Sequence, residues 1–333
     1  MKKYLLWLWL VFLMTDLTAC KTKSSEETND NRIRVIFDTD TNNELDDQHA
    51  LAYLVFNQDI FKIEGITVNA TFNGGDIDQH FAEAERVLKL CDASSLPLIK
   101  GANQSFVNIL PTLNRRDYDG NKAVDFIIKK AHESDQKPLV LLAVGKLTNV
   151  ALAVAKDPTI TSKIRLVWLG SNYPEPGEYN QDNDTTAMNY LLNSAIPFEM
   201  VTVRYSNQSG TNAVKMEKSE ALRELPGKGP VITPPVPGRH DGEFSTIGDY
   251  LANLFEHIEY YSDPPVRALF DMAAVAIVKN PTWAQQQIIP APILINNSWI
   301  DRPDNQRQIL VWENFNKRGI MDDFLATLKR ATH

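Results

Sequence analysis

From Arg32 to Arg204 the chain alternates short apolar runs with amphipathic stretches of helical period. RVIFD precedes DDQHALAYLVF, and EGITVNA precedes a helical pattern through FAEAERVLKLC. The series continues with KAVDFIIKKA, PLVLLAVG, LTNVALAVAK, IRLVWLG, TTAMNYLLNSA and PFEMVTVR. Alternation of this kind predicts one α/β domain over residues 32–333, with a mainly parallel open sheet, helices on both faces and a Rossmann-like core. Cys91 shares the apolar side of its helix with Phe81, Ala84, Val87 and Leu88, which marks it as a buried, inert thiol. One segment breaks the pattern: residues 226–242, PGKGPVITPPVPGRHDG, hold five prolines and no helical period. A loop of that length is either functional or a plain surface insertion. Helical pattern resumes over Ile247–Tyr261 and Ala268–Val278, then a strand near Gln287–Asn296 and a final helix near Asp322–Lys329 are expected.

Residues 1–19 stand apart from this fold. Lys2 and Lys3 precede an apolar run from Tyr4 to Met14 that is too short for a membrane span and reads as the core of a secretory signal. The run leads to Leu17-Thr18-Ala19-Cys20, which resembles the lipobox of bacterial lipoproteins. The resemblance implies cleavage before Cys20 and a lipid on its thiol; an ordinary cleaved signal with a chance cysteine is the alternative. Acyl chains gain about 0.8 kcal/mol per buried methylene and would hold a soluble domain to a membrane surface. Residues 20–31 contain no large apolar side chain after Cys20 and are expected to form a flexible tether. The expected location is therefore the cell envelope, extracytoplasmic, on the periplasmic face or the cell surface. With Cys20 lipidated, Cys91 has no intrachain partner.

The net charge of -8 argues against a nucleic-acid partner, which would require a basic face. The acidic chemistry is concentrated at the end of the first strand, where VIFDTDTNNELDD places Asp38, Asp40, Asp46 and Asp47 within ten positions. Carboxyl ends of strands are where open parallel sheets bind ligands. Four neighbouring carboxylates cannot all ionise without a cation, and carboxylates select hard ions such as Ca²⁺ and Mg²⁺. The spacing excludes an EF-hand, since Asn43 and His49 occupy the glycine and glutamate positions. Capping of the next helix by Asp46 and Asp47 would need one carboxylate, not four.

Four segments in order resemble the inosine-uridine-preferring nucleoside hydrolase family, over roughly residues 33–280. The first is the aspartate loop, similar to that family's D-x-D-x-x-x-D-D but longer by two residues within Thr41–Leu45. The others are GKLTN, GEYNQDND and LFDMAAV. The resemblance implies calcium-dependent hydrolysis of the N-glycosidic bond of a small-molecule ribonucleoside, or a related N-riboside, to ribose and free base. It implies Asp40 as calcium ligand and general base, with Asp47, the Thr148 carbonyl and Asp271 as further ligands. Asp46 would bind the ribose hydroxyls, and Asp38 would support the cluster from behind. Glu178 and Asn180 would hold the ribose 5′ side, with Asn172 as an additional ribose contact. An asparagine after the second strand would join them; Asn69 and Asn73 compete, and Asn73 is favoured. Homo-oligomerisation is left open, and contact with a membrane is expected through the lipid alone.

The chain departs from the family where the leaving base is protonated. Phe270 stands where well-studied members carry a histidine before the late aspartate, and NRRDYDGN replaces a His-Gly loop. His49, His80 and His132 lie in or beside helices and read as structural. His240, in the proline-rich loop, is the one candidate leaving-group acid. Phe270, Trp168, Tyr173 and Tyr179 would either stack on a base or pack in the core. Two rival functions are weighed. A haloacid-dehalogenase-like phosphatase would use Asp38 as nucleophile, but leaves Asp46-Asp47, GKLTN and GEYN unexplained. A non-catalytic binding lipoprotein would retain the calcium and sugar pocket without turnover.

Overall fold

The first strand, β1 (Ile33–Thr39), has six of its seven residues buried, as a central strand covered on both faces must. The structure is a computed structural model describing residues 30–332 apart from 134, 136 and 206. The expected signal segment and Cys20 lie outside the described residues, as does most of the tether.

Five further strands continue the core: β2 (Phe61–Val68), β3 (Leu98–Lys100), β4 (Leu139–Ala143), β5 (Ile164–Ser171) and β6 (Phe198–Thr202). Short strands follow at Lys215–Glu217 (β7), Val236–Pro237 (β8), Glu243–Phe244 (β9) and Val266–Ala268 (β10). The last four are Gln285–Pro290 (β11), Ile293–Ile295 (β12), Ser298–Ile300 (β13) and Gln308–Glu313 (β14). The main sheet has the order β11-β14-β6-β5-β4-β1-β2-β3. Its pairings are parallel except for the edge strand β11, which runs antiparallel to β14. From β3 to β6 this is the 3-2-1-4-5-6 order of a doubly wound fold, whose crevice opens between β1 and β4.

Helices α1 (Asp46–Val55), α2 (Ile77–Leu90), α3 (Phe106–Ile109), α4 (Asn121–His132) and α5 (Thr148–Lys156) occupy the first half. The second half holds α6 (Tyr179–Asn183), α7 (Thr185–Leu192), α8 (Lys218–Glu224), α9 (Ile247–Glu256), α10 (Phe270–Lys279) and α11 (Lys317–Arg330). Alternate residues of β1 point to opposite faces, so Val35 and Phe37 enter one apolar core while Ile36 enters the other. The first core is closed by α1, α2, α9, α10 and α11, the second by α3, α4, α5 and α7. Helices therefore cover both faces, as the alternating pattern predicts. Cys91 is buried at the end of α2, and burial pushes its thiol pKa up, which keeps it unreactive.

The C-terminal third differs from the sequence expectation. The last helix begins at Lys317 rather than near Asp322, because Asn316 caps it by accepting from the Gly319 amide at 3.0 Å. The helix expected over Ile247–Tyr261 ends at Glu256, and the strand expected over Gln287–Asn296 divides into β11 and β12. Strand β14, not anticipated, inserts beside β6 in the main sheet. The proline-rich segment is tied down: Arg86 donates to the Pro237 carbonyl at 2.6 Å, and Arg239 to the Glu44 carbonyl at 2.7 Å. No helix among the described residues is long and apolar enough to cross a membrane.

Candidate functional site

The turn after β1 must carry the chain from Asp40 to Asp46 across the crevice, and contacts from α2 and its preceding loop shape it. The His80 ring lies between two carbonyls, with Nδ1 2.7 Å from that of Asp40 and Nε2 3.1 Å from that of Asn73, and donates to one of them. The Thr41 hydroxyl donates to the His80 carbonyl at 2.9 Å, and Gln48 donates to the Thr41 carbonyl at 2.7 Å. Asn42 donates to the Gly74 carbonyl at 2.6 Å. These bonds absorb the two extra residues and leave Asp40, Asp46 and Asp47 buried together. His80 is therefore a structural clamp, in keeping with its expected role.

Asp46 and Asp47 occupy the first turn of α1, and Asp271 lies in the first turn of α10. One carboxylate oxygen from each of these three lies within 4.8 Å of the others, so the set can hold a metal ion. Asp47 accepts from the Thr39 hydroxyl and from the Asp40 amide at 3.3 Å. Asp40 accepts from the Thr71 hydroxyl. Behind them Asp38 is fully buried and accepts from Thr67 at 2.6 Å, Asn69 at 2.7 Å and Asn149 at 2.8 Å. Asp38 is thereby occupied with the scaffold, which leaves a phosphatase nucleophile role without support.

Burial raises the Asp40 and Asp46 pKa values to about 7, and their acidic neighbours push the same way. Asp47 and Asp271 are raised well above the carboxylate range by burial and then by the surrounding aspartates. Glu178 is also raised to about 7 by burial, and Asp38 to about 6. A protein alone gains nothing from such a cluster; a hard divalent cation would offset the repulsion, and carboxylate oxygens are its preferred ligands.

A cavity of about 400 Å³ opens over these acids. Asp40, Asp46, Asp47, Glu178, Asn180 and Asp271 line it. Glu178 caps α6 by accepting from the Gln181 amide at 2.8 Å, and Asn180 donates to the Val144 and Leu169 carbonyls at 2.7 and 3.2 Å. Of the aromatic candidates, Tyr179 and Phe270 line the cavity. Trp168 is in the core, and Tyr173 bonds Asp301 at 2.7 Å.

Four expected residues fall outside the lining. The Thr148 side chain turns to Asp184 at 2.5 Å. Asn172 is engaged at both ends, donating to the Pro176 carbonyl at 2.9 Å and accepting from the Tyr205 amide at 3.0 Å. Asn73 is exposed, whereas Asn69 is buried against Asp38 with its own Oδ1 unpartnered. The favoured choice between those two is thus not the one the structure brings to the cluster. His240 is exposed and stacks on His257 with ring centroids 4.5 Å apart, so it is not brought to the cavity either. Conversely, Tyr205, Lys215 and Arg267 line the cavity, though no sequence motif marks them. Long-range pairing of β7 with β10 delivers the last two.

The profile of the inosine-uridine preferring nucleoside hydrolase family matches residues 35–318. The chain is 27% identical over 171 residues to a pyrimidine-specific ribonucleoside hydrolase of a Shewanella strain, an alignment covering 45% of this chain and 52% of that enzyme. It is 20% identical to the inosine-uridine preferring nucleoside hydrolase of Crithidia fasciculata, covering 78% of this chain and 83% of the other. Among solved structures, a purine-preferring ribonucleoside hydrolase from Gardnerella vaginalis superposes with a TM-score of 0.68 at 18% identity, covering 90% of this chain and 99% of that one.

Proposed function

The chain belongs to the inosine-uridine preferring nucleoside hydrolase family, and from that premise we propose that it hydrolyses ribonucleosides to ribose and free base with Ca²⁺ bound in the acidic crevice. The observation that carries the reading is the set Asp46, Asp47 and Asp271, buried at one end of a cavity that Glu178 and Asn180 also line. The donor set is all oxygen, which suits Ca²⁺ over softer ions. Asp47 and Asp271 of that set would hold the ion, joined by Asp40 and the Thr148 carbonyl as the resemblance implies; Asp46 is close enough to ligate it as well. When bound, such an ion lowers the pKa of its water and orients vicinal hydroxyls.

The residues supply the rest. Asp40, a buried carboxylate lining the cavity beside the expected ion, is placed to take a proton from the attacking water. The Thr71 hydroxyl and the turn held by His80 fix its carboxylate. Asp46 would accept hydrogen bonds from the ribose diol, and Glu178 and Asn180 would engage the 5′ end. Burial of these acids lowers the local dielectric and would strengthen each polar contact they make. The test is a panel of purine and pyrimidine nucleosides, with ribose release measured with calcium and with chelator. Calcium-dependent release supports the reading. Tight riboside binding with no turnover would favour the binding-protein alternative.

We further propose that residues 1–19 are removed, that Cys20 carries the lipid, and that residues 20–31 tether the domain of residues 32–333 to the cell envelope on its extracytoplasmic side. Intact mass of the mature protein tests this: a lipid-modified terminus at Cys20 is expected, and an unmodified terminus elsewhere would refute it.

A further inference from the structure

Hydrolysis of a nucleoside leaves a problem that the acidic crevice cannot solve. Water adds through oxygen to C1′ and its proton passes to Asp40. The C1′–N bond breaks, and its electron pair departs with the base. Uracil or hypoxanthine expelled in this way is an anion, so some group must oppose its charge. No histidine lines the cavity among the described residues.

If the carboxylates hold the ribose, the base must lie against the remaining lining. That wall contains Tyr205, Lys215, Val266, Ala268 and Phe270. Tyr205 and Phe270 meet edge to face, with centroids 5.8 Å apart, and form an aromatic corner suited to a heterocycle. Lys215 begins β7 and pairs with Ala268 of β10, two positions before Phe270. Two cations line the cavity, and they differ in how they are engaged. Arg267 pairs with Glu44 and donates to the Glu259 carbonyl at 3.2 Å. Lys215 is half-buried, and its ammonium has no ion-pair or hydrogen-bond partner among the described residues. A half-buried lysine with an uncommitted ammonium, lining the same cavity as an aromatic corner, can meet negative charge on a ring held there.

We propose that Lys215 is the residue that activates the leaving group, by stabilising the departing base as an anion. The base leaves paired with the ammonium and takes its proton from solvent after release, while Asp40 returns the water proton to solvent. This rests on the hydrolase reading above and specifies its substrates: natural nucleosides whose bases leave as heterocyclic anions. It also accounts for Phe270 standing where a proton donor is otherwise expected, since charge pairing replaces proton transfer.

The experiment compares wild type, Lys215→Met and Lys215→Arg on inosine, uridine and 4-nitrophenyl riboside, with calcium present. Nitrophenolate is an intrinsically stable anion and needs little help. Lys215→Met is expected to lower kcat on inosine and uridine by about 10²-fold, and on the nitrophenyl riboside by less than about threefold. Lys215→Arg is expected to restore most of the lost rate, because it returns the charge without an easily transferred proton. Thermal midpoints of both variants report folding. Equal losses on all three substrates, no loss on inosine and uridine, or no recovery with arginine would each overturn the proposal. Those outcomes leave the hydrolase reading standing, since wild type still cleaves the nitrophenyl riboside. A wild type that cleaves none of the three would overturn the hydrolase reading and this proposal with it.

Discussion

Gly145 lies directly against the Asp40 carboxylate: a methyl group at its Cα would sit 2.8 Å from Asp40 Oδ1 and 3.0 Å from the Asn69 amide. The backbone cannot retreat easily, because Trp168 Nε1 donates to the Gly145 carbonyl at 3.0 Å from the core. The glycine of the GKLTN segment is therefore part of how the Asp40 carboxylate, the proposed general base, is positioned.

Gly145→Ala should displace the Asp40 side chain. Overpacking of this kind costs about 1–3 kcal/mol of stability. The rate should suffer more, by about 10²-fold, because small misplacements of reacting groups are costly. Steady-state kinetics beside a melting curve would separate the two; a normal rate in a destabilised variant would contradict the proposed role of Asp40.

Asp47→Ala should remove metal binding and metal-dependent stabilisation together. Saturating the wild type to about a hundred times its Kd should raise stability by about 2.7 kcal/mol, and the variant should show no such gain. Calorimetric titration and thermal melts with added calcium are the measurements. Retained calcium binding in the variant would remove Asp47 from the ligand set.

Metal-stripped protein should lose stability as pH rises. Asp40, Asp46 and Glu178 have folded-state pKa values near 7, raised from the ordinary carboxylate range, so between about pH 4 and pH 7 the folded form holds more protons than the unfolded form. Stability is greatest at the acid end of that window and falls through it, and calcium should flatten the slope. Chemical denaturation at several pH values with chelator checks the sign; a rise in metal-free stability across the window would contradict it.

His240→Ala should change little. Its ring stacks on His257 outside the cavity lining, so inosine and nitrophenyl riboside should both be hydrolysed at close to wild-type rates. A selective loss on inosine, of the 10²–10⁴-fold size typical of general acids, would return His240 to the mechanism. Asn73→Ala should likewise be near neutral, while Asn69→Ala, which strips a donor from buried Asp38, should impair activity.

The parallel core was legible from Arg32 to Thr202 because its strands are apolar along most of their length and are separated by helices with one apolar side. The acidic end of the site was legible for a related reason. Asp38, Asp40, Asp46 and Asp47 are close in sequence, and the end of β1 adjoins the crevice. The other end was not. Lys215 and Arg267 reach the cavity through the β7–β10 pair, whose register no local spacing reveals. Strand β14 escaped for the same reason, since Thr202 bonds the Trp312 carbonyl across 110 residues. The choice between Asn69 and Asn73 turned on how the longer loop is held, and that depends on His80 and Gly74 in three dimensions.

Release of ribose from inosine and uridine by purified protein, measured with calcium and again with excess chelator, tests the central claim most directly. Steady release with calcium that stops with chelator and returns when calcium is restored is the expected result. No release under any of these conditions, from protein shown to be folded and metal-loaded, would contradict it.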